Sequence, residues 1–223
     1  MADSLAGMTL PPWASHLEHK LAPPPLLLLV QAFVNTLDLD LGTDTLARAD
    51  DARDWLASAG LASVGPADAG ADGAGAESAG AESAGWPGEL AGLQLAREVR
   101  ESIRAMIARN TGGAPLTEDE LRPLRQVALD APPRLEPAAS GEIRLAVTST
   151  GHRLAGGLTG LLVGIRDAQA DGSWSRLKLC GNPDCQWAFY DRSHSRRGAW
   201  CDMASCGNRL KNRNLRARRA QDG

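Results

Sequence analysis

The chain has 223 residues, enough for one sizeable core and one small module, and its 4% aromatic content favours packed helices over aromatic-rich sheets. Its net charge of −3 divides unevenly, because residues 176–223 hold 11 Lys and Arg against 4 Asp, or +7, and the remainder carries −10. This division indicates that only the C-terminal segment meets a polyanion. Without an apolar run of roughly 20 residues or a signal peptide, a membrane protein is excluded and a cytoplasmic one is expected.

The proline-rich residues 1–25 predict an irregular lead. A helical domain is expected over residues 26–172, and it begins with the apolar segment LLLLVQAFVNTL, a buried helix or strand. Asp50 is expected to cap a second helix. Residues 61–88 contain the near-repeat AGAESAGAESAG and almost no large apolar side chain, so they predict a disordered insertion.

The clearest helix is predicted between Leu90 and Ile107, where apolar residues recur at helical spacing. Its charged residues Arg97, Glu101 and Arg104 are expected on the outer face. The chain then passes through a Gly-Gly pair at residues 112 and 113, which ends the helical pattern.

Thr117 with Glu120 three residues later forms a capping-box signature for the next helix. Residues 141–149 alternate apolar and polar side chains and predict one short strand. Residues 154–170 show a helical pattern interrupted by glycines, which is typical of closely packed helices. The fold class predicted for the helical domain is therefore mainly α with a short strand.

A small zinc module is predicted over residues 173–223, because all the cysteines of the chain lie there in two Cys-x4-Cys pairs: Cys180, Cys185, Cys201 and Cys206. Four thiolates complete a tetrahedral zinc shell and leave no position for water, which indicates one structural zinc ion per chain. A disulfide and a redox-responsive thiol switch are the alternatives, and a reducing compartment favours the metal.

The module is expected to consist of a β-hairpin followed by a basic helix. The sequence QWAFYD between the cysteine pairs predicts a strand that places Trp187 and Phe189 over the metal. Zinc binding, worth about 10–16 kcal/mol in comparable peptides, would stabilise a module too small to have its own core. From about Asn208 the chain predicts a helix with an arginine-rich face.

Phosphate is the expected partner of this module, and DNA the expected polymer. The candidate contacts are the basic residues of the two segments together with one asparagine: Arg192, Arg196, Arg197, Asn208, Arg209, Lys211, Arg213, Arg216, Arg218 and Arg219. RNA is an alternative, because Trp187, Phe189 and Tyr190 would stack on bases if they were exposed. A merely solvated basic tail is the simplest alternative.

Residues 179–219 resemble the CGNR zinc finger, which is named after the residues standing here as Cys206-Gly207-Asn208-Arg209. The segment Phe33-Val34-Asn35-Thr36 and the helix containing Trp55 are similar to the ABATE domain that precedes this finger in stress-induced transcription regulators of actinobacteria and their relatives. The resemblance implies DNA binding by the finger.

The N-terminal domain is expected to sense an effector or to form a homodimer. Asn35 and Thr36, at the end of the first apolar segment, form a possible pocket for a small-molecule effector, and local hydrogen bonding at a helix end is the alternative. No Ser-His-Asp, Cys-His or paired-His arrangement stands out, so no catalytic residues are assigned and no enzyme is predicted.

Overall fold

The computed structural model describes residues 10–17, 20–23, 25–62, 89–147, 153–209 and 213. Its α-helices are α1 (Leu26–Val34), α2 (Ala49–Ser58), α3 (Glu89–Ala108), α4 (Glu118–Asp130) and α5 (Arg153–Ala170). Its strands form antiparallel pairs: β1 (Leu37–Asp38) with β2 (Thr43–Asp44), β3 (Pro133–Pro137) with β4 (Ile143–Val147), and β5 (Leu177–Leu179) with β6 (Ala188–Tyr190). The predicted mainly-α fold is confirmed, and none of the helices in the described ranges is long and apolar enough to span a bilayer.

Helix α1 lies at the centre of the core, between α3 and α5. The glycines of α5 allow the close packing that the sequence predicts. A Cβ atom on Gly157 would lie 2.1 Å from the Leu61 carbonyl oxygen, and one on Gly164 would lie 2.1 Å from a methyl carbon of Leu26. Any larger residue at these two positions would push α5 away from its neighbours.

Helix α3 has the predicted position, but one of its charged residues lies on an unexpected side. Arg104, predicted to face outward, is only 6% exposed. Its guanidinium donates to the Val34 and Gln186 carbonyl oxygens at 2.7 and 3.0 Å, and it also pairs with Glu101 at 3.0 Å. The prediction fails because Arg104 bonds across an interface that helical periodicity does not reveal.

The lead is more ordered, in its described part, than the sequence predicts. It contains a short 3₁₀-helix, Pro12–Ala14, and buries Ala14, Leu17 and Ala22 in the same core as α1. The Trp55 indole donates to the Trp13 carbonyl oxygen at 3.0 Å. Packing the lead against the helices removes these apolar side chains from water, which stabilises its ordered conformation.

Helix α2 differs from the prediction at its N-terminus. Arg48, and not Asp50, is the N-cap residue, and Asp50 lies in the first turn, where a carboxylate favours the positive helix terminus. After α2, the backbone N–H groups of Leu61 and Ala62 donate to the Leu56 carbonyl oxygen. Both are buried, at 3% and 6% exposure, so the first two residues of the predicted insertion belong to the core. Residues 63–88 lie outside the described ranges.

The segment around α4 agrees with the sequence. The capping box is present, because Thr117 accepts from the Glu120 backbone N–H at 3.3 Å and Glu120 accepts from the Thr117 backbone N–H at 2.7 Å. The predicted single strand is β4, and it has a partner that the sequence did not suggest. Strand β3 follows α4 directly and pairs with β4 in the register Leu135↔Leu145.

Candidate metal centre and nucleic-acid interface

The four cysteine sulfurs form a compact cage. The four Sγ atoms all lie within 4.8 Å of one another. The Cys185–Cys201 and Cys201–Cys206 Sγ–Sγ distances are 3.8 and 3.7 Å. Four sulfurs bound at about 2.3 Å to a tetrahedral ion are separated by about 3.8 Å, whereas a disulfide bond measures about 2.05 Å. The geometry therefore fits one structural zinc ion, as the sequence predicts, and not a disulfide.

Three of the thiols share hydrogen bonds that change their pKa values. The hydrogen bond to Cys185, followed by that to Cys201, lowers the pKa of Cys180, and the hydrogen bond to Cys180 raises the pKa of Cys185. The same partner raises the pKa of Cys201. In the absence of a cation, only one of these buried sulfurs ionises easily, because further negative charges would repel it. A divalent ion removes that penalty, which is why such a cage favours metal.

Backbone turns bring the two cysteine pairs together. The Asn182 carbonyl oxygen accepts from the N–H groups of Cys185 and Gln186 at 3.0 and 3.1 Å and bends the first pair. The second pair spans a short π-helix, Met203–Gly207, whose start is capped by the Asp202 carboxylate at 2.7 Å from the Ser205 nitrogen. The hairpin β5–β6 encloses the first pair, and its second strand, β6, is the strand that the QWAFYD sequence predicts.

Aromatic residues cover the cage as predicted. Phe189 is fully buried against the cysteines, and the partly buried Trp187 and Trp200 complete the cover. Lys20, from the lead, lies 4.8 Å above the Phe189 ring centroid and donates to the Trp200 carbonyl oxygen. Phe189 and Tyr190 are buried, at 0% and 7% exposure, so of the three rings named for the RNA alternative only the partly buried Trp187 keeps exposed surface for stacking.

Gly207 explains part of the CGNR sequence physically. A Cβ atom at this position would lie 2.5 Å from the Met203 sulfur and 3.2 Å from the Trp200 ring. Glycine therefore lets the chain leave the cage directly over Trp200. The next residues, Asn208 and Arg209, are helical as predicted.

A buried ion pair closes the loop between the cysteine pairs. The Lys178 ammonium contacts the Asp191 carboxylate at 2.8 Å, and both side chains are less than a tenth exposed. Asp191 also accepts from the Ser193 and Gly198 backbone N–H groups at 3.0 and 2.7 Å. Burial raises the pKa of Asp191. The hydrogen bonds from Lys178 and from these N–H groups lower the pKa by a larger amount, so the carboxylate stays ionised.

The zinc module is docked on the helical domain through paired amides. The Asn35 side chain donates to the Ala188 carbonyl oxygen and accepts from the Ala188 N–H, each at 2.8 Å. Gln31 donates to the same carbonyl oxygen at 3.1 Å and accepts from the Ala22 N–H at 2.6 Å. Leu177 and Ala188 belong to the core cluster of α1 and α3. The module therefore continues the core of the helical domain.

The pocket predicted at Asn35 and Thr36 is replaced by this docking contact. Both residues are nearly inaccessible, at 2% and 3% exposure. Thr36 donates to the Phe33 carbonyl oxygen at 2.8 Å and accepts from Arg100 at 3.2 Å. Local and inter-domain hydrogen bonds use these polar groups, and they do not line an open cavity.

The nucleic-acid candidates divide into two groups. The first is the exposed RSHSRR loop, residues 192–197, which contains Arg192, Arg196 and Arg197. Arg192 donates to the Leu21 carbonyl oxygen at 2.9 Å, and its guanidinium carbon lies 5.7 Å from the Tyr190 ring centroid. All three arginines are exposed in the segment between the two cysteine pairs, and their role in binding stays a prediction.

The second group belongs to the C-terminal segment. Asn208 donates to the Ala204 carbonyl oxygen at 3.1 Å, Arg209 pairs with Asp40, and Arg213 pairs with Asp184 at 2.9 Å. The remaining candidates, Lys211, Arg216, Arg218 and Arg219, lie outside the described residues. Both described arginines of this segment are thus engaged by carboxylates of the same chain.

Comparison with known families agrees with the site. The family described as "Putative stress-induced transcription regulator", ABATE, matches residues 28–170, more than half of the chain. The protein belongs to the ABATE family. The CGNR zinc finger matches residues 176–219 and includes all four cage cysteines, so the ABATE domain is followed by a zinc finger of that type. A comparison with curated proteins gave no match.

Sequence reasoning did not identify the Lys178–Asp191 ion pair or Asp40 as parts of the site. A lysine between two leucines in the LKL strand is unusual in a buried strand. This lysine was the available signal for its buried ion pair. For Asp40, the signal was weaker: an acidic LDLDLGTD stretch in a chain whose other end is basic.

Proposed function

We propose that this ABATE-family protein is a transcription regulator that binds duplex DNA through the arginines of its zinc finger. The observation that carries the proposal is the exposed RSHSRR loop beside a buried cage of four cysteines. Zinc would fix the loop and the start of the C-terminal helix, and the arginines would contact phosphate. The proposal involves no chemical step on a substrate.

Arginine suits this role because its planar guanidinium forms paired hydrogen bonds with phosphate oxygens. Each phosphate contact on B-DNA changes the logarithm of affinity by about −0.9 per unit of log salt concentration, because counterions are released. The side chains of Arg196 and Arg197 form no ion pair with a described residue, so they are available for such contacts. These contacts would supply affinity without selecting a sequence.

The ABATE domain would hold the finger in one orientation. Asn35, Gln31 and Arg104 bond to backbone atoms of the module, and these bonds do not involve the exposed Arg196 and Arg197. A finger fixed in this way loses less conformational freedom on binding than a module on a flexible linker.

The test is a fluorescence anisotropy titration of a labelled duplex of about three helical turns with the zinc-loaded full chain. Arg196→Ala/Arg197→Ala should weaken binding strongly at low salt. Arg125→Ala/Arg144→Ala is the matched control, because it removes the same charge from exposed side chains of the ABATE domain. If wild type does not bind the duplex, or if both double variants bind equally well, the proposal is wrong.

A competition experiment separates DNA from RNA. Unlabelled duplex DNA should displace the labelled duplex at lower concentration than single-stranded RNA does, at matched salt. Stronger displacement by RNA would replace DNA with RNA as the partner. Selection of bound genomic fragments, with Arg209→Ala/Arg213→Ala for comparison, would then show whether the C-terminal segment contributes sequence preference.

A further inference from the structure

We propose that the ABATE domain restrains the finger by holding Arg209 with Asp40, so that nucleic acid must displace a carboxylate of the same chain before this arginine can contact phosphate. The inference rests on the proposed function. It assigns to the ABATE domain a role beyond positioning, namely an autoinhibitory contact with the binding surface.

The contact joins the two parts of the protein. One guanidinium nitrogen of Arg209, Nη1, lies 2.7 and 2.8 Å from the two carboxylate oxygens of Asp40. The Arg209 side chain is 56% exposed and the Asp40 side chain is 31% exposed. The pair is therefore formed at the surface, where a phosphate oxygen can reach the guanidinium.

The acidic partner is held rigidly. We call strands β1 and β2 with their connecting turn, residues 37–44, the Asp40 hairpin. At its tip the Asp38 carboxylate accepts from the backbone N–H groups of Asp40 and Leu41 at 2.9 and 3.0 Å. At its base Asp44 forms two hydrogen bonds with the buried guanidinium of Arg100, at 2.6 and 2.9 Å. Asp40 is thus fixed to the core of the ABATE domain.

The second described arginine of the C-terminal segment has a similar partner. Arg213 lies 2.9 Å from Asp184, in the first cysteine pair. Arg196 and Arg197 differ, because within the described residues neither side chain forms an ion pair. The arginines of the finger therefore fall into two groups. Arg196 and Arg197 of the loop are suited to a first encounter with a polyanion, whereas Arg209 and Arg213 are paired with carboxylates.

A carboxylate and a phosphate bind the same donors of a guanidinium, so they compete for Arg209. Exposed ion pairs are weak and are screened by salt. The expected restraint is correspondingly modest, about two- to fivefold in affinity. A restraint of this size is overcome by a site with many phosphates and suppresses binding to isolated ones.

The test uses the zinc-loaded full chain and the same labelled duplex at low salt. Asp40→Asn should bind about two- to fivefold more tightly than Asp167→Asn. Asp167 is the matched control because its carboxylate is exposed on α5 and its ion pair is with the adjacent Arg166. In the Arg209→Ala background the Asp40→Asn substitution should have no effect, because the restrained side chain is gone.

Two results would overturn the inference. If Asp40→Asn binds as tightly as Asp167→Asn or more weakly, Asp40 does not restrain Arg209 and instead orients it or has no role. If Asp40→Asn still tightens binding after Arg209→Ala, the gain is a general charge effect. Both results leave DNA binding by wild type intact, whereas absence of binding by wild type and every variant rejects the proposed function together with the restraint.

Discussion

The two sides of the zinc finger differ in burial and in charge. The side that faces the ABATE domain is buried and joins it through amide bonds such as those between Asn35 and Ala188, together with the guanidinium of Arg104. The outer side carries the RSHSRR loop, whose Arg196 and Arg197 are exposed. The inner side fixes the finger against the helices, and the outer side is the surface to which the proposed function assigns phosphate binding.

This comparison shows that the finger is not an independent module. Its hairpin strands contribute Leu177, Ala188 and Tyr190 to the core of the helices, and within the described residues the cage cysteines and Phe189 form a separate buried cluster. Stability of the inner side should therefore depend on both zinc and the helices. The outer side should tolerate substitution without loss of fold.

Zinc removal should have the largest effect on the inner side. Cys185→Ala, or chelation of the wild type, removes an interaction worth about 10–16 kcal/mol in comparable peptides. Because the hairpin shares the core, the melting temperature of the helices should also fall, as followed by far-ultraviolet circular dichroism. An unchanged melting curve for the helices after zinc removal would show that the two parts are independent.

Lys178→Met should be the most damaging substitution outside the cage. It leaves the buried Asp191 carboxylate without its cation, and breaking a buried pair in this way costs about 3–5 kcal/mol. Denaturant unfolding measures the loss. The double variant Lys178→Met/Asp191→Asn should recover part of it, and a double variant as unstable as the single one would argue against an uncompensated charge.

Asn35→Ala should weaken the docking contact by a smaller amount. The Ala188 N–H loses its acceptor, at a cost of about 1–3 kcal/mol, while Gln31 still donates to the Ala188 carbonyl oxygen. Gln94→Ala is the control, because Gln94 is exposed and its amide bonds with Glu98 on the same helix. Equal stability of the two variants would mean that Asn35 does not hold the finger.

The smallest expected effect on the inner side is the pH dependence of the stability that Asp44 contributes. Burial raises the pKa of Asp44. The hydrogen bonds to Arg100 and its charge lower the pKa by a larger amount, so the folded pKa lies below the unfolded one. Its stabilisation is complete above about pH 4 and is lost as the pH falls further. The stability difference between wild type and Asp44→Asn should therefore shrink below about pH 4. A difference that grows with acidity would contradict the ion pair.

The sequence predicted the features that depend on local spacing. The Cys-x4-Cys pairs, the capping box at Thr117 and the periodicity of α3 each reflect residues a few positions apart, and each appears in the structure. Features that depend on distant neighbours were not predictable in the same way. Arg104 resembles an ordinary exposed helix residue until the Val34 and Gln186 carbonyl oxygens lie beside it.

The same limit applies to the polar residues at the end of α1. Asn35 and Thr36 follow an apolar segment, which fits a ligand pocket as well as a docking contact. Only the position of β6 decides between them, because the Ala188 backbone occupies the hydrogen-bonding groups of Asn35. The link between Asp40 and Arg209 spans 169 positions and likewise has no local pattern.

The most direct test of the central claim is the salt dependence of duplex DNA binding by the zinc-loaded chain. If the outer side of the finger binds phosphate, the logarithm of affinity should fall linearly with the logarithm of salt concentration. Replacing both Arg196 and Arg197 by alanine should reduce the magnitude of the slope by about 1.8. A slope that is the same for wild type and this variant would contradict the assignment of the outer side as the DNA-binding surface.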